Sequence, residues 1–403
     1  MLKFIGIIFC GALLFLAGCA APPSEQPVPK EWSVTSPAHS VAGATNMTGV
    51  SVNQPPRLSM PVKEPIKAPP TNQVNVPAYI VRPMPAPITT WTSLGQWAAQ
   101  HNLGQPQRLT DSPLATYGLI SRNGEMIVAI GSKEATWNGR EISLGFDPEM
   151  IDGEVFLHGL DLQKNLEPLL CENPLNFDAD HVIVLDPGHG GMNSGTISVL
   201  DQRPEKEFTL DLAKRLKPLL EKEGWTVFLT RTADYDLALS NRVTFAENHH
   251  ADLFISLHFN SAAPDKKQAG LETYCLTPTG MPSTLTRGFA DPWQENLPNN
   301  YFDAQNLQFA IRLHTALLHT NGEEDRGVRR ARFIGVLRGQ KRPAILIEGG
   351  YLSNPAEAAK IENPDFRQKL AETIAAALAR NPQATAQKAA ITTAQVQTNT
   401  VHQ

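Results

Sequence analysis

Apolar positions along the chain change period several times, and each change marks an element. Up to about residue 90 no period is sustained. Trp91, Leu94, Trp97 and Ala98 then recur at helical spacing, with Ser93 placed to cap that helix. After Gly104 the pattern shortens to strands. Tyr117-Gly-Leu-Ile-Ser121 and Glu125-Met-Ile-Val-Ala-Ile130 flank Arg122-Asn123-Gly124, and residues 135–144 repeat the device around Asn138-Gly139. Asn-Gly predicts tight hairpins because both residues tolerate positive φ. Asp161-Leu162 and residues 166–170 predict a closing helix, so residues 91–172 read as a separate small α+β unit.

From His181 the spacing changes again. Val182-Ile-Val-Leu185 is an unbroken apolar run rich in β-branched residues, which predicts a strand buried on both faces. Phe208, Leu212, Leu216 and Leu219/Leu220 share one face of a helix over residues 205–222. The strand at residues 225–230 completes a βαβ unit with a right-handed crossover. Ser240 is placed to cap a helix carrying Val243, Phe245 and Ala246, which His249-His250 ends. Strands follow at residues 252–261, 271–276, 333–337 and 344–347. Helices are expected at residues 305–319 and around Phe366, Leu370, Ile374 and Leu378. The expected fold class is α/β: an open, mostly parallel twisted sheet with helices on both faces over about residues 180–380. The small α+β domain and a disordered Pro-rich linker precede it.

Composition changes this picture at the two ends. Residues 19–90 carry Pro55-Pro56, Pro69-Pro70 and Pro83-Met-Pro-Ala-Pro87, which favour extended chain over a packed core and read as a flexible tether. Residues 381–403, rich in Ala, Thr and Gln, read as a flexible tail. At the start, Lys3 precedes an apolar run from Phe4 to Phe15 that is too short to span a membrane as a mature helix and fits a secretory signal. The run ends in Leu16-Ala17-Gly18-Cys19, which resembles the lipobox of bacterial lipoproteins. That resemblance implies loss of residues 1–18 and a lipid anchor on Cys19 that ties the chain to a membrane. With Ala20 next, it also implies a periplasm-facing place at the outer membrane. Cys171 and Cys275 lie too far apart in sequence to carry a framework signal, so no disulfide is assigned. The net charge of −5 offers no basic field, which excludes nucleic acid as a partner. Residues 91–172 resemble the N-terminal domains of copper amine oxidases that recur in bacterial envelope proteins, and that likeness names no chemistry.

The candidate chemistry sits at strand ends. His189 follows Asp186-Pro187-Gly188, a turn that stops the first buried strand, and lies where open α/β sheets place ligands. Glu205 and Glu207 stand in the first turn of a helix, His258 near the end of a second buried strand, and Glu348 at the end of a third. Two histidines and two glutamates at one sheet edge have the composition of a catalytic zinc site with a general base. The stretches Leu185-Asp-Pro-Gly-His-Gly-Gly191, Glu205-Lys-Glu-Phe-Thr-Leu210, Ile255-Ser-Leu-His-Phe-Asn-Ser261 and Ile345-Leu-Ile-Glu-Gly-Gly-Tyr-Leu-Ser-Asn354 stand in order. Over about residues 180–380 they closely resemble the zinc-dependent N-acetylmuramoyl-L-alanine amidases, which cut peptide stems from the glycan strands of peptidoglycan. The resemblance implies Zn2+ held by His189, Glu205 and His258, with Glu348 as catalytic base. Glu207 is the rival carboxylate, two positions on and therefore facing elsewhere. Asp186 and Asn260 are expected around the ligands or the substrate, and Arg231 and Arg242 as structural ion-pair partners. His101, His158, His249, His250, His314 and His319 lack companion ligands.

Two other readings compete: a zinc peptidase cutting within stem peptides, and a non-catalytic peptidoglycan-binding lipoprotein. The complete set of four residues speaks against the latter. Family members that act in cell separation often insert an autoinhibitory helix after the second histidine's strand. Here residues 277–304 hold Pro278, Pro282, Pro292 and Pro298, which argue against one long blocking helix. A lid or specificity loop using Phe289, Trp293 and Tyr301, and a regulatory protein partner, both stay open.

Overall fold

The computed structural model describes residues 90–171, 181–322 and 324–379. The signal segment with Cys19, the linker up to residue 89 and the tail from residue 380 lie outside the described residues. In chain order the elements are β1 (Trp91–Ser93), α1 (Leu94–Gln100), β2 (Gln107–Thr110), β3 (Thr116–Ser121), β4 (Gly124–Ala129), β5 (Glu134–Trp137), β6 (Arg140–Ser143), β7 (Glu149–Ile151) and β8 (Glu154–His158). A helical turn α2 (Gly159–Asp161) runs into a wide π-type helix, Leu162–Cys171, that contains Pro168. Then follow β9 (Val182–Pro187), α3 (Glu205–Lys222), β10 (Thr226–Leu229), α4 (Leu239–Asn248), β11 (Leu253–Asn260) and β12 (Leu271–Cys275). A 3-10 turn at Pro298–Phe302 leads into α5 (Asp303–Asn321), β13 (Asp325–Arg330), α6 (Gly335–Arg338), β14 (Ala344–Tyr351), α7 (Pro355–Glu362) and α8 (Pro364–Ala377).

Eleven strands form one sheet in the order β10-β9-β11-β14-β12-β13-β6-β5-β4-β3-β2, and β1-β8-β7 form a second, small sheet. From β10 to β13 every pairing is parallel except β14 with β12. The antiparallel meander β2 to β6 joins that part through the parallel pair Val328↔Ile142. Side chains strengthen the junction: Arg330 donates to Asn165 Oδ1 at 2.8 Å, and Lys164 pairs with Asp303 at 3.0 Å. The hairpins fall where Asn-Gly placed them, with Asn138 and Gly139 at φ 49° and 75°. Ser93 caps α1 through its Oγ, and His249 ends α4 with its ring on the Phe245 carbonyl.

Strand alternation divides the sheet into two faces with different cores. Ile183, Leu185, Leu253, Ile255, Leu257, Phe259, Ile345 and Ile347 point to one face, where Phe208 and Leu212 of α3, Leu307 of α5 and Leu370 of α8 cover them. Val184, Phe254, Ala344 and Leu346 point to the other, under Ala246 of α4 and Val336 of α6. Toward the carboxyl ends this second face turns polar, with Asp186, Ser256, His258, Asn260 and Glu348 at the alternating positions. A one-residue bulge marks the change: His258 faces Glu348, whereas Asn260 faces Tyr351.

Two expectations fail. The strand lies at Asp325–Arg330 rather than at residues 333–337, and part of the latter forms the short helix α6. β13 escapes an apolar reading because four of its six residues are charged; Arg326 pairs with a buried glutamate, Glu272. Helix α4 also begins at Leu239 after Ala238, so Ser240 is not its cap. Within residues 277–304, where the prolines argue against one long blocking helix, the structure has only the 3-10 turn Pro298–Phe302 and the first residues of α5.

Phe208, fully buried and edge-on to Phe259, reports how firmly α3 is held. Phe208→Ala is expected to cost about 3–5 kcal/mol in urea unfolding, whereas Ile120→Ser, at a position 64% exposed, should stay within about 0.5 kcal/mol.

Candidate metal centre

The strand-end turn after β9 is fastened from below before any functional side chain is placed. Arg242 bonds Asp186 Oδ1 at 2.7 Å and the carbonyls of Pro187 and His189 at 2.9 and 2.7 Å. Arg231 takes the carbonyls of Pro187 and Gly188, and the Thr209 hydroxyl of α3 donates to Gly188 as well. Of the two arginines expected as ion-pair partners, Arg242 pairs with Asp186, while Arg231 serves backbone oxygens. Asp186 is fully buried and also accepts from Thr230 and Ser256, so it supports the turn from beneath the site.

On this base His189 takes a left-handed backbone, φ 63°, uncommon for a residue with a side chain and typical of strained functional positions. Close approach then demands two glycines. A Cβ on Gly188 would lie 2.3 Å from the His258 ring, and one on Gly195 would lie 2.5 Å from Glu205 Oε2 and 2.6 Å from the His189 ring. With those atoms missing, the rings of His189 and His258 sit edge to face at 4.8 Å.

Glu205, the first residue of α3, is buried between them. His189 Nε2 lies 3.0 Å from its Oε2 and His258 Nδ1 lies 3.0 Å from its Oε1. The backbone N–H groups of Thr196 and Phe259 donate one to each oxygen at 3.0 Å. One donor atom from each of His189, Glu205 and His258 falls within 4.8 Å of the others. Glu207 points away, half exposed and paired with Arg203 at 3.0 Å.

Proton positions around His189 bear on what this cluster holds. Its Nδ1 lies 2.9 Å from Asn193 Oδ1, which also accepts from the Gly195 N–H. A carbonyl oxygen only accepts, so Nδ1 carries a proton there, and Nε2 is the ring nitrogen that faces Glu205. A cation bonded to both satisfies that arrangement, and an outer N–H anchored on an amide oxygen is how ligating imidazoles are oriented. Two imidazole nitrogens and a carboxylate oxygen make a donor set that suits zinc.

The electrostatics agree. Burial alone would raise the Glu205 carboxyl, but hydrogen bonds from His189 and His258 outweigh it and hold the group below the ordinary carboxylate range. Burial would lower His258, and the Glu205 hydrogen bond raises it instead. Glu348 stands beside His258 in register on β14. Burial pushes its carboxyl up to about 7, the pull of His258 offsets part of that rise, and the negative charge of Glu205 adds to it. Its Oε2 is buried without any hydrogen-bond partner.

Three neighbours escaped the sequence reading. Asn193 and Gly195 belong to a loop without periodicity. Glu272 carries a better signal, a charge inside the otherwise uncharged strand β12, and it is buried opposite Glu348. Asn260 donates to Glu272 at 2.7 Å, and Arg287, from the Pro-rich segment, reaches Asn260 Oδ1 at 3.2 Å.

Comparison with known proteins converges on one family. The profile described as N-acetylmuramoyl-L-alanine amidase matches residues 183–380. AmiC, an N-acetylmuramoyl-L-alanine amidase of Escherichia coli, is 32% identical over 242 residues, which cover 54% of this chain and 57% of that protein. The chain thus spans little more than half the length of that relative. A germination-specific N-acetylmuramoyl-L-alanine amidase of Bacillus subtilis is 30% identical over 48% of this chain and 76% of its own length. Among solved structures, the catalytic domain of CwlV, an amidase of the same name from Bacillus (Paenibacillus) polymyxa, is 31% identical. It covers 49% of this chain and 96% of that one, with a TM-score of 0.41.

The raised Glu348 carboxyl sets a pH dependence for the metal-free protein. Between the ordinary value of 4.5 and about 7 the folded chain keeps a proton that the unfolded chain has lost. Stability therefore falls as pH rises through that window. Glu348→Gln removes this loss. Relative to wild type, the chelator-treated variant should gain nothing at pH 4 and on the order of 3 kcal/mol by pH 8 in urea unfolding. A pH-independent difference would contradict the assignment.

Proposed function

The chain belongs to the N-acetylmuramoyl-L-alanine amidase family, and from that premise we propose that it hydrolyses the amide between the lactyl group of muramic acid and L-alanine in peptidoglycan. In this reading His189, Glu205 and His258 hold a zinc ion and Glu348 is the catalytic acid–base. The observation that carries it is the three-donor cluster beside a buried carboxyl whose Oε2 has no partner.

When bound, zinc supplies Lewis acidity, which favours attack by water at neutral pH and polarises the scissile carbonyl. The remaining work belongs to the chain. Glu348 Oε2, without a hydrogen bond to give up, takes a proton from the attacking water as its oxygen bonds to the carbonyl carbon. The same oxygen then hands that proton to the L-alanine nitrogen as the carbon–nitrogen bond breaks. Burial raises the proton affinity of this carboxyl, which suits a group that takes a proton and returns it. Asn193 keeps the His189 ring oriented, and the bonds from Arg231 and Arg242 keep the turn under it from shifting.

The same reading places the protein in the cell envelope. There a lipid on Cys19 anchors it at the outer membrane, facing the periplasm, and the Pro-rich residues 19–90 give the catalytic part reach to its polymeric substrate.

On purified sacculi, the wild-type protein should release intact stem peptides with L-alanine at their amino end. Chelation should abolish that release and added zinc restore it. Glu348→Ala should lower the rate by about 10²–10⁴-fold while zinc content, measured by elemental analysis, stays at one ion per chain. Equal cleavage by variant and wild type would defeat the mechanism, and fragments cut within the stem would make the protein a peptidase.

A further inference from the structure

We propose that Arg287, Arg326 and Arg329 form a carboxylate-binding subsite that selects peptide stems carrying a free acid group; this rests on the amidase reading and adds a substrate preference to it. The three guanidiniums converge on one buried carboxylate. Arg326 Nε donates to Glu272 Oε1 at 3.1 Å, Arg287 lies 3.8 Å from Oε2, and Arg329 lies 3.9 Å from Oε1. Glu272 needs none of the surplus, because Asn260 Nδ2 and the Tyr274 hydroxyl each donate to Oε2 at 2.7 Å. Even with Glu348 ionised, three fixed positive charges face two negative ones. A buried glutamate is neutralised by one partner, so two further arginines exceed what the fold requires.

Their placement is that of a recognition group. Glu272 is the direct cross-strand neighbour of Glu348, and Arg287 bonds Asn260, two residues beyond His258. The side chains are 40%, 24% and 30% exposed, so each is open to a ligand from solvent, although Arg287 Nη2 is already given to Asn260 Oδ1 and the Tyr274 hydroxyl, at 3.2 and 3.0 Å. Arg287 is also held in advance. It sits at φ 50° before Gly288 at φ 80°, in a turn closed by the Phe289 N–H on the Thr286 carbonyl. The guanidinium lies over the rings of Tyr274 and Phe333, at 5.7 and 5.6 Å, and Phe289 stacks on the far part of the same aromatic group. A positive φ at a residue with a side chain is strain that the surroundings must sustain. Here the buried Arg332 sustains them by tying Asp291, Pro278 and Met281 of the segment together. A rigid planar fork with spare donors is the side chain suited to a carboxylate.

Two peptides isolate the effect: L-Ala-γ-D-Glu-L-Lys amide, with a free carboxylate on its second residue, and the counterpart in which that carboxylate is an amide. Titration calorimetry on the zinc-loaded protein should give about 10–100-fold tighter binding of the acid form, the worth of one charge-assisted contact. Arg287→Gln should remove most of that preference while leaving the amide form's affinity unchanged, and Arg287→Lys should restore part of it. Arg329→Gln, at a position with only a 3.9 Å contact to Glu272, gives the same reading without disturbing the fold. Equal affinity of wild type for both peptides, or an equal loss for both in Arg287→Gln and Arg329→Gln, would overturn the subsite. Because binding is read apart from turnover, a chain that prefers the acid peptide yet releases nothing from sacculi sinks the catalytic reading and keeps this one.

Discussion

The carboxylate of Glu205 has been taken out of water at the head of an eighteen-residue helix, and most of the site follows from how that cost is met. Each oxygen accepts one imidazole and one backbone N–H, drawn from the turn after β9, the loop after Gly195 and the end of β11. The dipole of α3 favours a negative charge at its first turn. Three separate pieces of chain are thereby drawn to one point. Gly188 and Gly195 have no side chains because the approach leaves no room for them. Were the carboxylate to move, both rings would lose their common partner, and only strand register would set His258 against Glu348.

Much of this was legible beforehand, for a physical reason. Strands buried on both faces leave a continuous apolar trace, and a polar residue that interrupts such a trace near its end has few places to be except a ligand site. His258 and Glu348 are such interruptions, one on each of two adjacent parallel strands. Helix rotation of about 100° per residue says only that Glu205 and Glu207 face different ways; the family resemblance chose Glu205, and the structure sends it inward and Glu207 to Arg203.

What escaped the sequence lies where pattern and environment part company. β13 shows no apolar period, and the partner of its Arg326 is Glu272 on the neighbouring strand, which no local window contains. Residues 333–337 look strand-like, yet they supply Phe333 as a platform for Arg287 and then coil into α6. Arg287 itself belongs to an irregular stretch held by one buried arginine, and no periodicity marks such a segment. Long-range polar contacts overrode local preference in each case.

Chain connectivity has a mechanical corollary. The backbone enters the described structure at β1, which pairs only with β8 in the small three-stranded sheet, Trp91 opposite His158. Tension arriving from the amino-terminal side loads that pair first. Strand β9, which leads to His189, and the strands bearing His258 and Glu348 are interior members of the larger sheet, flanked on both sides by other strands. A pull strong enough to peel β1 away would therefore act first on the small sheet, apart from the strands that carry the candidate site.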